Sequence, residues 1–169
     1  MDKLRVGVAG LGTVGGGLLQ LLTAQKDIIE ERCGRPVSIV AVSARDQSKH
    51  QDLNLADMKW HADATSLAVD QNVDVVCELI GGADGVALRV CEAALNAGKD
   101  VVTANKAMMA VHGARLASLA EKQGVEIYYE AAVAGGIPII KAIREGLSGN
   151  QISGVVGILN GTCNYILTD

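Results

Sequence analysis

Three glycines near the start of the chain have the spacing of a nucleotide-binding turn. Gly10, Gly12 and Gly15 form a Gly-x-Gly-x-x-Gly sequence that follows an apolar, β-rich run and precedes a helical pattern. In such a unit the first glycine permits a tight turn, the second lets the backbone approach a pyrophosphate, and the third allows close packing of helix on strand. The alternative is a purely structural turn. The residues that we predict to bind a nicotinamide nucleotide here are Gly10, Leu11, Gly12, Thr13, Val14 and Gly15.

The end of the second predicted strand bears on the form of the cofactor. Residues 37–42 are a β-branched run, Arg45 follows it, and no acidic residue stands at the strand end itself. An acidic side chain there would hydrogen-bond the ribose 2′-hydroxyl of NAD, whereas an arginine can accommodate the 2′-phosphate of NADP. We therefore expect NADP. NAD stays possible if the loop turns Asp46 back toward the ribose, and the alternative for Arg45 is an ordinary solvated charge.

Two later strands end in residues that suit the same site. Residues 73–80 form a buried strand that carries Glu78 late in its apolar run and ends at Gly81, which we predict to contact the cofactor. Glu78 is either paired or at the rim of a site. Lys106 follows a strand at 100–103, near a helix start, where the helix dipole disfavours a cation and so favours proton exchange with an alcohol. The alternative for Lys106 is a solvated loop lysine.

The elements that must position these residues alternate between strand and helix. Apolar residues recur at helical spacing over 13–32 and 84–97, and a further helix is predicted at 113–123. Residues 46–62 are polar and irregular, and we assign their two histidines no chemistry. The predicted strands begin near residue 4 and continue at 37–42, 73–80, 100–103 and 125–129. This alternation predicts an α/β fold with a doubly wound parallel sheet of the Rossmann type over 1–130.

Composition argues against several classes of function. With 49% hydrophobic and 20% charged residues, the sequence is typical of a globular domain. It has no Phe, one Trp and three Tyr, and its net charge is −4, so we expect no nucleic-acid partner. No apolar run reaches the roughly 20 residues that span a bilayer, so we expect no membrane partner. The four widely spaced cysteines predict reduced thiols and a cytoplasmic location.

The character of the sequence changes at Glu130. Residues 131–138 are small, glycine-rich and apolar, which predicts a crossover from the nucleotide domain into a second domain at 131–169. A helix is predicted from Pro138, followed by a strand at 152–159. The sequence ends inside an apparent helix, so we expect a longer natural reading frame.

Five motifs, in order along the chain, resemble homoserine dehydrogenase. They are Gly-Leu-Gly-Thr-Val-Gly, Glu-Leu-Ile-Gly-Gly, Val-Thr-Ala-Asn-Lys-Ala, Tyr-Glu-Ala-Ala-Val-Ala-Gly-Gly-Ile-Pro-Ile-Ile and Gly-Ile-Leu-Asn-Gly-Thr-Cys-Asn-Tyr-Ile-Leu. The last three are specific to that family. The resemblance implies a Rossmann domain followed by the beginning of an α+β catalytic and dimerisation domain. It also implies NAD(P)-dependent interconversion of L-homoserine and L-aspartate 4-semialdehyde, in threonine, methionine and isoleucine biosynthesis, by a homodimeric full-length protein.

The resemblance also implies roles for individual residues. Lys106 matches an active-site lysine that lies near cofactor and substrate. Glu130 matches a carboxylate that binds a monovalent cation, typically sodium, whose other implied ligands are the backbone carbonyls of Val133, Gly135 and Ile137. All-oxygen coordination suits such a hard cation, whereas the alternative for Glu130 is a salt bridge. The family's later segment has no counterpart here, so we expect an N-terminal fragment. The resemblance implies that this segment carries acidic substrate-binding residues and a second lysine that is usually assigned to proton transfer.

Two other functions stay open at this point. One is a reductase for a different small substrate, which substrate specificity would distinguish. The other is a nucleotide-binding Rossmann module without catalysis, which would have no need of Lys106 or of the segment 135–167. The residues 160–162 (Asn-Gly-Thr) either form part of an active-site floor or turn the chain and cap a helix.

Overall fold

The computed structural model describes residues 2–157 and shows a parallel sheet of six strands. In chain order the strands are β1 (Leu4–Ala9), β2 (Val37–Ser43), β3 (Lys59–Trp60), β4 (Val75–Glu78), β5 (Asp100–Thr103) and β6 (Ile127–Tyr128). Their spatial order is β3-β2-β1-β4-β5-β6, and every neighbouring pair is parallel. The order reverses at β1, which is the arrangement of a doubly wound Rossmann sheet. The predicted fold is confirmed.

Helices follow most of the strands and carry the chain back across the sheet. They are α1 (Thr13–Ala24), α2 (Lys26–Cys33), α3 (Ala64–Ala68), α4 (Val86–Asn96), α5 (Lys106–Gln123) and α6 (Ile139–Lys141). Gly34 and Gly124, both at φ 68°, end α2 and α5 in the left-handed conformation that glycine adopts readily. Within residues 2–157, no helix is both long and apolar enough to cross a membrane.

The sheet is packed on both faces by aliphatic side chains. Val6 and Val8 of β1 pack with Leu19 of α1 in one cluster. The next residue of the strand, Ala9, belongs to a second cluster, which α3, α4 and α5 complete with fully buried side chains such as Leu67, Leu95 and Leu116. Because successive residues of a strand point to opposite faces, the central strands are held from both sides and form a firm base for their carboxyl ends.

Three local predictions are wrong. The segment 46–62 contains the edge strand β3, which is too short for alternation to show and pairs with Ala41 and Val42. The helix expected over 13–32 is broken at Gln25, whose backbone (φ −109°, ψ 20°) is not helical. Helix α5 begins at Lys106, well before the predicted start at residue 113.

Beyond β6 the described chain lies on the surface. Between Tyr128 and residue 157 no residue is buried. Short 3₁₀ turns at Glu130–Ala132 and Ala134–Gly136 lead to α6 and one π-helical turn (Ala142–Gly146). The helix predicted from Pro138 to about Leu147 is thus present over 139–146, with its second part π-helical. Residues 152–157 form no strand. The rest of that predicted strand and residues 160–162 lie outside the described residues, and the domain boundary at 130 stays a prediction.

Candidate functional site

The last register row of the sheet crosses four strands at their carboxyl ends. Ser43 of β2 lies beside Ala9 of β1, Ala9 lies beside Glu78 of β4, and Glu78 lies beside Thr103 of β5. The predicted cofactor residues that follow these strand ends are Arg45, Gly10, Gly81 and Lys106. Ligands of open α/β sheets bind in the crevice outside these ends, at the point where the strand order reverses. The topology therefore gathers four separate segments at one edge.

The three glycines of the turn differ in what surrounds them. Gly10 has φ 103°, and a Cβ there would lie 2.5 Å from the carbonyl oxygen of Leu79. A Cβ on Gly15 would lie 1.9 Å from the carbonyl oxygen of Gly10. Both positions therefore require glycine for the packing of the protein itself. Among residues 2–157, no atom lies within 4 Å of a Cβ built on Gly12. In this motif the second glycine is the one that lets a pyrophosphate approach.

The start of α1 offers backbone N–H groups to a ligand. Its N-cap is Gly12 in an extended conformation, no side chain caps this helix end, and no acidic residue lies in the first turn. The positive end of the helix dipole is therefore left for an anion. Val14 is 57% exposed beside it, whereas Leu11 is 4% exposed and places its side chain in the core.

The end of β2 holds an arginine and an aspartate in different situations. Asp46 accepts hydrogen bonds from the backbone N–H (3.0 Å) and hydroxyl (2.7 Å) of Ser48, and so caps the 3₁₀ turn Gln47–His50. These hydrogen bonds lower the pKa of Asp46. Arg45 is exposed and forms no ion pair within residues 2–157. The carboxylate of Asp46 is thus hydrogen-bonded within the loop, whereas the guanidinium of Arg45 is exposed to solvent.

The alternatives for Glu78 are decided in favour of pairing. Its side chain is fully buried. Its Oε1 accepts hydrogen bonds from the backbone N–H groups of Ile80 (2.8 Å) and Gly81 (3.2 Å), and its Oε2 accepts from the hydroxyl of Thr103 (2.6 Å). A buried carboxylate is tolerable when such donors surround it. Glu78 therefore holds the loop after β4 and does not face a substrate directly.

Asn105 is a residue of this edge that sequence reasoning missed. It is 6% exposed and caps α5, because its Oδ1 accepts from the backbone N–H of Met108 at 3.1 Å. Its Nδ2 donates to the carbonyl oxygen of Gly82 at 2.7 Å. An Asn before a helix is a recognisable N-cap signal, but the later predicted start of the helix concealed it. Lys106 is the first residue of α5, and its side chain is exposed.

Glu130 follows the carboxyl end of β6 by two residues and binds the first turn of α6. Its Oε1 accepts from the backbone N–H of Ile140 (3.0 Å), and its Oε2 accepts from the backbone N–H of Lys141 (2.7 Å). It forms no salt bridge within the described chain, so that alternative is wrong. The loop that follows has left-handed backbone at Ala134 (φ 56°) and Gly135 (φ 56°).

The two buried cysteines and the described acidic residues suggest no other reactive centre. Cys77 and Cys91 are buried free thiols, and burial raises the pKa of Cys77 to about 11, which disfavours a thiolate nucleophile. Among residues 2–157, no group of three or more His, Cys, Asp and Glu side chains is placed to hold a metal ion.

The strand order and the glycine turn define a dinucleotide-binding protein of the Rossmann class. The family model described as "Homoserine dehydrogenase, NAD binding domain" matches residues 10–130, and the model "Homoserine dehydrogenase" matches residues 138–169. The chain belongs to the homoserine dehydrogenase family and carries its NAD-binding domain. The resemblance found in the sequence motifs is confirmed.

Individual relatives agree with the family models. Homoserine dehydrogenase of Pseudomonas aeruginosa is 45% identical over 169 residues, which are 100% of this chain and 38% of that protein. The Bacillus subtilis homoserine dehydrogenase is 42% identical and is matched over 99% of this chain and 39% of its own length. The crystal structure of a homoserine dehydrogenase from Thiobacillus denitrificans superposes with a TM-score of 0.87 at 42% identity, covering 99% of this chain and 38% of that one. The chain thus spans about two fifths of the length of these relatives.

Proposed function

We propose that this chain forms the cofactor-binding part of an NADP-dependent homoserine dehydrogenase. The reaction is hydride transfer that interconverts L-homoserine and L-aspartate 4-semialdehyde. The supporting observation is the register row Ser43, Ala9, Glu78 and Thr103, because it brings the glycine turn, Arg45, Gly81 and Lys106 to one edge of the sheet. The family assignment supports the substrate.

Lys106 is the residue of this edge that is suited to proton transfer. A nicotinamide cofactor, when bound, accepts or supplies the hydride at its ring. Oxidation of the homoserine alcohol also releases the hydroxyl proton, and reduction of the aldehyde must return one. The Lys106 amine lies in the first turn of α5, exposed, at the strand ends where the cofactor is expected. In this proposal it exchanges that proton as a general acid and base.

The loop after β2 supports NADP over NAD. Asp46, the carboxylate that would bind a ribose 2′-hydroxyl, already accepts two hydrogen bonds from Ser48. Arg45 has no carboxylate partner among the described residues and is exposed next to the strand end. A guanidinium binds a phosphate well because it donates parallel hydrogen bonds to two oxygens.

We further propose a sodium site at Glu130 with the carbonyls of Val133, Gly135 and Ile137. The donor set fits, since all four groups supply oxygen. Each carboxylate oxygen of Glu130 accepts one hydrogen bond from α6 and keeps further lone pairs. The left-handed backbone at Ala134 and Gly135 curls the intervening loop.

Thermal unfolding in matched salts tests the sodium site. We expect the chain to unfold at a higher temperature in sodium chloride than in choline chloride of equal ionic strength, because a bound ion stabilises the folded state. Glu130→Gln should abolish this difference. Glu126→Gln is the control, since Glu126 pairs with Arg144 nearby and should leave the sodium effect intact. An equal sodium effect in all three proteins would contradict the site.

The cellular setting of the proposed enzyme follows from the family and the thiols. The substrates are then L-homoserine and L-aspartate 4-semialdehyde, and a full-length protein would act as a homodimer. The buried free thiols of Cys77 and Cys91 support a reducing compartment, the cytoplasm.

Homoserine-dependent reduction of NADP, followed by the absorbance of the reduced nicotinamide, tests the proposed function. The assay is run on this chain and on the longest reading frame that contains it. Turnover with homoserine in either protein supports the proposal. Cofactor binding with no turnover in both proteins would favour a nucleotide-binding module, and turnover of only another alcohol would favour a different reductase. Either of these results would overturn the homoserine assignment.

A further inference from the structure

Glu78, Thr103 and Asn105 form one hydrogen-bonded group, which we call the buried network. The Glu78 carboxylate accepts from Thr103, and the Thr103 hydroxyl oxygen in turn accepts from the backbone N–H of Asn105 at 3.0 Å. The three side chains are at most 6% exposed. The network therefore continues from the end of β4 through the end of β5 to the start of α5.

Each end of the buried network holds a loop of the candidate site. Glu78 binds the backbone N–H groups of Ile80 and Gly81, and Asn105 binds the carbonyl of Gly82. The loop after β4 is thus held from both sides, at three backbone groups. Leu79 and Ile80 pack against the core. Gly81 (φ 85°) and Gly82 (φ 86°) have left-handed backbone and no side chain to pack, so hydrogen bonds fix the shape of this second half of the loop.

The residue that follows Glu78 contacts the glycine turn through its backbone. Leu79, the residue after Glu78, brings its carbonyl oxygen within 2.5 Å of the Cβ that Gly10 lacks, and its N–H donates to the carbonyl of Ala9 at 2.8 Å. Asn105 precedes Lys106 directly and caps the helix that Lys106 begins. Together, Leu79 and the buried network therefore connect the expected pyrophosphate site with Lys106, the lysine proposed for proton transfer.

Core packing alone gives no reason for a carboxylate at position 78. Neighbouring positions of the same sheet, Val76 and Val101, are apolar and fully buried. An apolar side chain would avoid the desolvation of a charge. It would, however, leave the N–H groups of Ile80 and Gly81 and the hydroxyl of Thr103 without their acceptor. The presence of the Glu78 carboxylate is therefore explained by its hydrogen bonds to the loop after β4 and to Thr103, not by core packing.

We propose that Glu78 is a positioning residue, which acts through Thr103 and Asn105 to set the loop 79–82 and the start of α5 in one geometry for the cofactor and Lys106. The inference rests on the proposed function for the identity of the cofactor and the role of Lys106. The placement of the two loops themselves rests only on the hydrogen bonds described above.

Substitutions of Thr103 test the proposal without removing the buried charge. Thr103→Val has nearly the same shape but neither donates to Glu78 nor accepts from Asn105, whereas Thr103→Ser keeps both hydrogen bonds. We expect Thr103→Val to weaken NADPH binding about 10-fold and Thr103→Ser to change it less than about twofold, as measured by fluorescence titration. In the longest reading frame, Thr103→Val should also lower kcat at saturating NADPH, since Lys106 is displaced.

A matched core variant separates positioning from general stability. Val101→Ala removes two methyl groups from the same strand and is expected to lower the melting temperature without changing NADPH affinity. Unchanged NADPH affinity in Thr103→Val would overturn the proposal. So would an equal loss of affinity in Val101→Ala at a similar melting temperature.

Amide hydrogen exchange needs no cofactor, so it tests the positioning of the loop separately from the test of the proposed function. Amide hydrogen exchange should become faster at Ile80 and Gly81 in Thr103→Val but stay as in the wild type in Thr103→Ser and Val101→Ala. If the wild type bound no NADPH, the proposed cofactor would be wrong. Selective exchange at these two amides would then still support the positioning of the loop, and uniform exchange in all variants would overturn it.

Discussion

The two ends of the parallel sheet both carry charged side chains, but they satisfy these charges differently. At the amino-terminal end, Asp70 and Asp74 contact basic side chains. Arg5 donates from its backbone N–H (2.8 Å) and its Nε (3.0 Å) to Oδ2 of Asp74 and also contacts the other carboxylate oxygen. Asp70, just before β4, is hydrogen-bonded to Lys59 (2.7 Å) and His61 (3.0 Å). These contacts join segments that are distant in sequence.

At the carboxyl-terminal end, Glu78 and Asp46 are hydrogen-bonded to neutral donors instead, and Asp84 contacts His112. Glu78 accepts from two backbone amides and a hydroxyl, and Asp46 accepts from Ser48. The cations of this end, Arg45 and Lys106, are exposed and have no acidic partner among residues 2–157. The start of α1 is a third positive group of this end, and it has no acidic residue in its first turn.

This difference in hydrogen-bonding partners suggests that the amino-terminal end of the sheet contributes to stability and the carboxyl-terminal end to ligand binding. An ion pair between fixed side chains stabilises the fold but leaves little charge for a ligand. Neutral donors satisfy a carboxylate without consuming a cation, so the positive charge at the carboxyl-terminal end is available to the phosphates of a dinucleotide. Substitution of Gly12 or Arg45 at the carboxyl-terminal end should therefore lower cofactor affinity with little change in stability. Substitution of Asp74 at the amino-terminal end should lower stability with no change in cofactor affinity.

The largest expected effect is that of Gly12→Ala. Within the described chain the added Cβ meets no atom within 4 Å, so the fold should be unchanged, but the methyl group would stand where we propose that the pyrophosphate approaches. We expect NADPH binding to weaken about 100-fold or more, which corresponds to roughly 2.7 kcal/mol, with little change in melting temperature. Fluorescence titration and thermal unfolding of the same preparation measure the two quantities.

Gly17→Ala is the matched control for this substitution. Gly17 lies further along α1, and apart from its own helix no described residue has an atom within 4 Å of a Cβ there. We expect unchanged NADPH affinity and a gain of about 0.5–1 kcal/mol in stability, because alanine favours the helix over glycine. Equal affinity losses in Gly12→Ala and Gly17→Ala would remove the reason to place the pyrophosphate at Gly12.

Local sequence patterns were sufficient to predict one part of this edge. The glycine turn and the position of Arg45 depend on residues that are close in sequence, between a strand and the helix or loop that follows it. The doubly wound sheet follows from the alternation of elements. Its strand order could be anticipated in outline because parallel strands require crossovers of one hand.

The remaining part depends on register between distant strands. Glu78 could be read as paired or as lining a site, since its partner Thr103 is brought beside it only when β4 and β5 align. Asn105 was missed because the start of α5 was predicted too late. The strand expected at 152–159 was inferred from its apolar residues alone, and over 152–157 the structure pairs it with no neighbouring strand.

The second expected effect concerns the choice between NADP and NAD. Arg45→Ala should weaken NADPH binding about 10-fold, or about 1.4 kcal/mol, and leave NADH binding unchanged, because only NADPH carries the 2′-phosphate. Competitive titration with both cofactors measures the ratio. Asp46→Asn is the control and should leave that ratio within about twofold, since Asp46 is engaged with Ser48. Equal NADPH affinities for wild type and Arg45→Ala would show that Arg45 is an ordinary solvated charge.

The smallest effect is expected at the amino-terminal end, and it should appear in stability alone. Hydrogen bonds from Arg5 hold the pKa of Asp74 below its usual range. The folded pKa is therefore lower than the unfolded pKa of about 4, so the carboxylate stabilises the fold above that pH and loses this effect as the pH falls through the folded value.

Asp74→Asn should accordingly lower the free energy of unfolding by about 1 kcal/mol at pH 7, because the Arg5–Asp74 pair is partly exposed and such pairs contribute little. Urea unfolding at pH 7 and again near pH 3 measures the difference between variant and wild type, which should shrink at the lower pH. NADPH affinity at pH 7 should be the same in both proteins. A loss of NADPH affinity in Asp74→Asn with no loss of stability would reverse the division of roles between the two ends of the sheet, since the amino-terminal end would then contribute to binding.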